Sequence, residues 1–228
     1  MSAELWDLRW PDVVARSTDV LLVIPVGATE QHGPHLPLST DTDIAIAIAI
    51  ALARARTGTV VAPPVPYGSS GEHAEFAGTI SIGPQATELL LVELVRSASA
   101  SFERIVLVSA HGGNAEAVGR AARRLHDEGR DLLAWSPRWH ADAHAGRAET
   151  SIMLALRPDA VRLERAEAGN TAPLDELWPL LRRAGVVAVS ENGVLGDPAG
   201  ASADEGRRLL ARAVDELRDA VERWIAAV

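Results

Sequence analysis

Short apolar runs alternate with longer stretches of helical pattern along this chain. The runs fall at residues 20–26, 59–62, 105–110 and 132–135, with a weaker one at 186–189, and turn residues bound each of them. Brief, near-continuous apolar runs of this kind mark strands buried on both faces of a parallel sheet. Residues 43–56, 84–101 and 114–128 read as the intervening helices. The order is βαβα, which predicts an α/β protein with a mostly parallel central sheet and helices on both faces.

The stretch "DIAIAIAIALARA" at residues 43–55 alternates Ile and Ala, which taken alone is a strand period. It reads as a helix instead, because Ala is apolar and the best helix former, the run is longer than an ordinary strand, and Asp43 is placed to cap it. Being apolar all round, it is expected to be buried. Near the C-terminus, Ser202 and Glu205 form a capping-box pattern, and Leu210, Val214, Leu217, Val221 and Trp224 recur at helical spacing. Residues 166–181 read as a loop with a short helix. No repeat or long linker interrupts the chain, and 228 residues suffice for one core, so a single domain over 1–228 is expected.

Composition then excludes several classes of function. The 22 basic against 31 acidic residues give a net charge of -9, with no basic block, a poor match for nucleic acid or an anionic membrane. There are no cysteines, so disulfide, iron-sulfur and thiol chemistry are absent and any metal must be held by nitrogen and oxygen. The first residues carry no signal pattern, and the longest apolar run, 44–53, is too short to span a bilayer. A cytoplasmic protein is expected, since a cysteine-free chain suits a reducing compartment.

The polar residues that matter follow the strands. Glu30, His32, His35 and Asp41 lie in "GATEQHGPHLPLSTD" after the first run, His111 ends "VLVSAH" after the third, and His144 with Glu149 lies in "DAHAGRAETS" after the fourth. In a parallel sheet the carboxyl ends of the strands share one edge, where ligands bind. Charged groups placed there cost stability unless they are paired or ligate something. Imidazoles mixed with carboxylates suit Zn, Mn or Fe(II) rather than Ca. With two oxygens, Asp41 can bridge two ions, so that one polarises a carbonyl while its neighbour lowers the pKa of water from about 15.7 to about 7.

These segments, with "GEHAEFAGTISIG", "SAHGGN" and "HAGRAETS", resemble the creatininase family of metal-dependent amidohydrolases. The resemblance implies a three-layer α/β/α fold, two divalent ions per subunit (Zn, Fe(II) or Mn) and a ring-like homo-oligomer, a hexamer or larger. It implies the ligands Glu30, His32, Asp41 and His111, with Glu149 completing the second site and His144 near the chemistry. His144 and Glu149 are the candidates for passing a proton to the leaving amine. Ser70, Glu72, His73, Gly112, Gly113 and Asn114 are candidate substrate contacts. Within the family, "YGSSGEH" and "NGVLGDPAGAS" are most similar to peptidases that cut a modified ribosomal precursor peptide near its C-terminus, releasing a Val-Tyr-derived fragment. Creatininase itself carries an aromatic residue and then a carboxylate after the third-motif histidine. Here those places are Gly112 and Gly113, which predicts open space for an extended chain, little or no creatinine hydrolysis, and Glu149 as the replacement carboxylate.

Plainer readings stand beside these. His35, His126 and His140 read as core or surface histidines, Asp142 as an orienting partner of His144 or a solvated loop residue, and Asn114 as a helix cap. A serine hydrolase would need Gly-x-Ser-x-Gly and a dinucleotide binder Gly-x-Gly-x-x-Gly; "GSSGE" and "GATEQHG" supply neither. The remaining alternatives are a hydrolase or deformylase of a small amide in cofactor biosynthesis, and a non-catalytic metal-binding scaffold.

Overall fold

The computed structural model describes residues 4–15, 20–139 and 142–227. Among them, β1 (Leu21–Val26), β2 (Thr59–Val61), β3 (Arg104–Ser109) and β4 (Asp131–Trp135) form a parallel sheet in the order β2-β1-β3-β4. Seven α-helices accompany it among the described residues: α1 (Trp10–Val14), α2 (Thr40–Ala55), α3 (Gly83–Ala98), α4 (Ala115–Asp127), α5 (Arg147–Leu156), α6 (Leu174–Ala184) and α7 (Ala203–Ala226).

Strand alternation divides the apolar side chains between two faces. Leu22 and Ile24 of β1 and Ile105 and Leu107 of β3 pack with Leu91 and Val95 of α3 and Val118 and Leu125 of α4. Leu21, Val23, Val106 and Val108 pack on the other side with Ile44 and Ile48 of α2, Ile152 of α5, and Leu217 and Val221 of α7. The result is the expected three-layer α/β/α arrangement. A separate small cluster, Leu177, Leu181, Val186 and Leu195, lies apart from the sheet. The sheet runs from β1 outward to β2 and then across β1 to β3. The direction of winding therefore reverses between β1 and β3, and the crevice beyond their carboxyl ends is where such sheets bind ligands.

Several boundaries differ from the pattern reading for identifiable reasons. The Ile/Ala stretch is helical, but α2 begins at Thr40 with Ser39 as its N-cap, so Asp41 and Asp43 both lie in its first turn. Asp43 does not cap the helix. It accepts from the Ser39 hydroxyl and pairs with Arg157, where the helix dipole also favours a carboxylate. Ile44, Ala45, Ile48, Ala49 and Leu52 are buried and Ile46, Ala47 and Ile50 half-buried, so the helix is sunk on one face rather than all round. Residues 186–189 are not a strand: Gly185, at φ 74°, ends α6, and Val186–Ala188 continue as a 3-10 turn with Val186 buried in the third cluster. Ser202 caps α7 by accepting from the Glu205 amide, but the return half of the box is missing. Glu205 instead accepts from Arg147 and Ser151, tying α7 to α5.

Candidate metal centre

Three loops and two helix starts converge at the edge beyond β1 and β3. Gly27, just past β1, has no room for a side chain, since a Cβ would meet the Thr42 backbone at 2.5 Å. That approach brings the first turn of α2, with Asp41, against the loop carrying Glu30 and His32. Asn114 ties the neighbouring loops together: its Nδ2 donates to Gly27 O at 2.9 Å and its Oδ1 accepts from the Ser69 amide at 2.8 Å. It precedes α4 without capping it through its side chain. His144 is held by paired backbone hydrogen bonds with Leu195, so the late "NGVL" segment fixes its position. Ala145 follows at φ 53°, turning the chain into α5 and donating its amide to Glu149 Oε2 at 2.6 Å.

Asp41 faces two histidines with different oxygens, Oδ1 at 3.3 Å from His32 Nε2 and Oδ2 at 3.3 Å from His111 Nδ1. Glu30 Oε2 lies 3.2 Å from His111 Nε2, and Glu30 Oε1 lies 3.5 Å from His73 Nε2 and 3.8 Å from His144 Nδ1. Glu149 Oε2 is 3.9 Å from His32 Nε2. The imidazoles of His32 and His144 lie tilted against each other with centroids 4.3 Å apart, and those of His73 and His144 likewise at 4.5 Å. Among the described residues, three groups of donors are close enough to share a cation: Glu30, Asp41 and His111; His32, His144 and Glu149; and Glu30, His73 and His144.

Both carboxylate oxygens of Glu30, Asp41 Oδ2 and His32 Nε2 are buried without a hydrogen-bond partner. Buried polar atoms are almost always satisfied, and cations at the two donor groups that divide these atoms would satisfy them. Nitrogen and oxygen donors in this mixture fit a divalent transition metal.

Hydrogen bonds also settle which ring nitrogens are free. His144 Nε2 donates to Gln31 O at 2.8 Å, leaving Nδ1 with its lone pair toward Glu30. The Gln31 amide donates to Gly193 O at 3.0 Å and to His73 Nδ1 at 2.8 Å, which uses both its protons. A neutral His73 therefore carries its proton on Nε2, facing Glu30 as a donor, and the group containing His73 is the weakest of the three as a cation site. His111 Nε2 donates to Ser69 O at 2.9 Å, leaving Nδ1 toward Asp41. Ligating histidines are commonly oriented by such an outer hydrogen bond.

Charge follows the same geometry. Burial works to lower the His32 pKa, but Asp41, Glu149 and Glu30 outweigh it and push it up to about 10. His111 is raised well above its usual value against burial by Glu30 and Asp41. Asp41, which burial alone would raise, is held below the ordinary carboxylate range by His32 and His111. Burial pushes Glu149 up to about 7 and His73 down to about 3, and with His32 nearby it pushes His144 well down. Protons on His32 and His111 thus hold the carboxylates together where a cation would.

Glu30, Glu72, His73, His111, Gly112, Gly113 and His144 line a cavity of about 240 Å³, whose remaining wall includes Leu174, Trp178, Leu181, Val186 and Leu195. Ser70 is buried beside it, with its hydroxyl 3.5 Å from His111 Nε2. Asn114 is a buried structural tie rather than a lining residue. The expected open space is present at Gly112, where a Cβ meets nothing within 4 Å, but not at Gly113. A Cβ there would meet Ser69 O at 2.3 Å and both Glu72 Oε1 and His111 Nε2 at 2.5 Å. Glu149 groups with His32 and His144 rather than with Glu30 and His111. Asp142 accepts from the Arg147 amide at the start of α5, and His144 is oriented by Gln31 instead. His35 is buried against Thr150, His126 bonds Leu132 O, and His140 lies outside the described residues. Gln31 is the residue that sequence reasoning missed.

The family model for creatininase, described as creatinine amidohydrolase, matches residues 6–221. The chain belongs to the creatininase family. A relative from Mycolicibacterium smegmatis, a mycofactocin precursor peptide peptidase, is 54% identical over 211 residues, covering 90% of this chain and 85% of its own. A solved mutant creatininase of Zn-Zn type superposes with a TM-score of 0.82 at 26% identity, covering 98% of each chain. A creatininase described with Mn gives 0.81 at 27%, again over 98% of each. The family and fold expected from the motifs therefore hold. Zn and Mn both occur in descriptions of creatininase structures, and this chain presents nitrogen and oxygen donors suited to either.

Proposed function

We propose that this protein is a metal-dependent hydrolase that cleaves a peptide bond near the C-terminus of a modified ribosomal precursor peptide, of the mycofactocin type, releasing a Val-Tyr-derived fragment. The observation that carries the chemistry is the set of buried, unpartnered carboxylate and imidazole atoms gathered around Asp41. The substrate is supported by 54% identity, over nearly the whole chain, to a relative that bears that name.

In this reading Glu30, Asp41 and His111 would hold one divalent ion and His32, Asp41 and Glu149 would hold a second, with Zn, Fe(II) or Mn as candidates. Such ions supply polarisation of the scissile carbonyl and a lowered pKa for nearby water. The chain's own residues do the rest. Asp41 sets the spacing of the two halves. His144 is preferred to Glu149 for moving a proton to the leaving amine, because it lines the cavity with Nδ1 free while Glu149 does not line it. Gly112 leaves room for peptide backbone, and Leu174, Trp178 and Leu181 supply an apolar wall that excludes water.

A homo-oligomer is part of this reading, and exposed apolar residues such as Trp6, Trp10, Tyr67, Leu89 and Leu94 are compatible with it. A ring of six or more subunits and a cytoplasmic location are kept as part of the proposal. No helix of the described residues is long and apolar enough to cross a membrane.

The deciding experiment incubates metal-loaded protein with the modified precursor peptide, with N-formyl amides and with creatinine, and follows products by mass spectrometry. Cleavage near the peptide C-terminus with creatinine untouched is expected. Turnover of creatinine with intact peptide would overturn the substrate assignment.

A further inference from the structure

Leu174, Trp178 and Leu181 recur at helical spacing along α6 and share the face of it that lines the cavity. They differ in what supports them. Leu181 is buried in the small cluster with Leu177, Val186 and Leu195, whereas Leu174 and Trp178 are 43% and 49% exposed and belong to none of the apolar clusters of the described residues. Large apolar side chains that no core claims, lining the same cavity as Glu30, His111 and His144, mark a surface for an apolar ligand.

The wall also has a direction. His144, the preferred donor to the leaving amine, exchanges two backbone hydrogen bonds with Leu195, at 2.9 and 3.2 Å, and Leu195 is part of the wall. In hydrolysis the C–N bond breaks, the oxygen of water stays with the acyl half, and a proton goes to the amine half. The amine half therefore lies on the side of His144 and Leu195. In a cut near the C-terminus that half is the short released fragment, and a fragment derived from Val and Tyr is apolar and aromatic. At about 240 Å³ the cavity is smaller than the roughly 300–1,000 Å³ of sites for drug-sized ligands, so it suits such a fragment better than a length of chain. We propose that the α6 wall, with Trp178 as its principal contact, is the subsite for the released C-terminal fragment, and that the longer acyl half of the precursor leaves past the open space at Gly112. Trp178 is then a specificity-determining residue as well as a shield against water. This inference rests on the proposed peptide substrate and takes it further, by assigning the half of the peptide that the protein recognises.

The test follows cleavage of the modified precursor peptide, and its inhibition by each purified product, the C-terminal fragment and the remaining leader. It compares the native protein with Trp178→Ala, Trp178→Phe, Leu174→Ala and Leu180→Ala, the last an exposed residue of α6 outside the cavity. The fragment is expected to inhibit the native protein competitively. In Trp178→Ala its inhibition constant and the KM for the precursor should both rise at least about tenfold, while inhibition by the leader is unchanged. Leu174→Ala should act in the same direction, Trp178→Phe should recover most of the loss, and Leu180→Ala should match the native protein. Metal content and thermal unfolding check that the variants fold alike. Fragment inhibition that is absent, or unchanged in both Trp178→Ala and Leu174→Ala, would overturn the subsite, and weakened inhibition by the leader instead would overturn its direction. A native protein that leaves the precursor intact would overturn the proposed substrate, and this inference with it.

Discussion

Gln31 holds His144 through its backbone carbonyl, with its side-chain nitrogen also 3.1 Å from the same His144 Nε2. The carbonyl accepts from His144 Nε2 at 2.8 Å, while the side-chain amide is spent on His73 and Gly193 and its oxygen accepts from the Gly33 amide. Replacing Gln31 by Leu should therefore leave the His144 anchor in place but strand three polar groups. A loss of about 1–3 kcal/mol of stability per stranded group sets the scale. Peptide cleavage should fall less than in His144→Ala. Paired denaturation and steady-state measurements check this, and equal losses of kcat in the two variants would contradict it.

Asp41 touches both halves of the centre, so Asp41→Asn should lower the content of both ions and abolish hydrolysis. His35→Ala should leave metal content unchanged, because His35 bonds Thr150. Metal analysis distinguishes the two, and retention of two ions by Asp41→Asn would remove the bridging role.

Glu149 stands with His32 and not with His111. Glu149→Gln should accordingly deplete mainly one ion. Full occupancy of both would leave Glu149 as no more than an acceptor for the Ala145 amide.

The motifs made the centre legible before any coordinates, because Glu30, His32, Asp41 and His111 follow apolar runs whose ends must share an edge. Other parts left no such trace. The first turns of α5 carry Glu149, Thr150 and Ser151, all buried, so polar residues sit where a helical pattern would show apolar ones. Asn114 looks like a cap in sequence because the same residue type serves both to cap a helix and to join loops. The crowding at Gly113 depends on Ser69 and Glu72, more than forty positions earlier in the chain, and no local pattern reports it.

The two adjacent glycines should respond differently to the same change. Gly113→Ala is expected to cost about 1–3 kcal/mol through overpacking against Ser69 O and to displace Glu72. Gly112→Ala meets open space and should be nearly neutral for folding. Chemical denaturation of both variants is the check, and equal stabilities would show that the loop simply moves aside.

The metal-free protein should also lose stability as pH rises. His32 has a folded pKa of about 10 against an ordinary value of 6.5, so the folded state keeps a proton that the unfolded chain releases. That contribution is fully present below about 6.5 and is lost as pH rises through about 10. Thermal unfolding of chelator-treated protein between pH 7 and pH 10 should show a falling midpoint. Added Zn should remove the fall, because binding requires the unprotonated imidazole. A flat or rising profile without metal would contradict it.

The apolar wall of the cavity belongs to the small cluster of Leu177, Leu181, Val186 and Leu195, not to either face of the sheet. The donors on the sheet edge and most of this wall are thus built on separate foundations, joined at Leu195, which also anchors His144. Substitutions along α6 can reshape what the cavity accepts while the sheet that aligns Glu30, Asp41 and His111 keeps its packing. A fold divided in this way can change substrates over evolutionary time, or in a directed library confined to α6, without first having to rebuild its reactive pole.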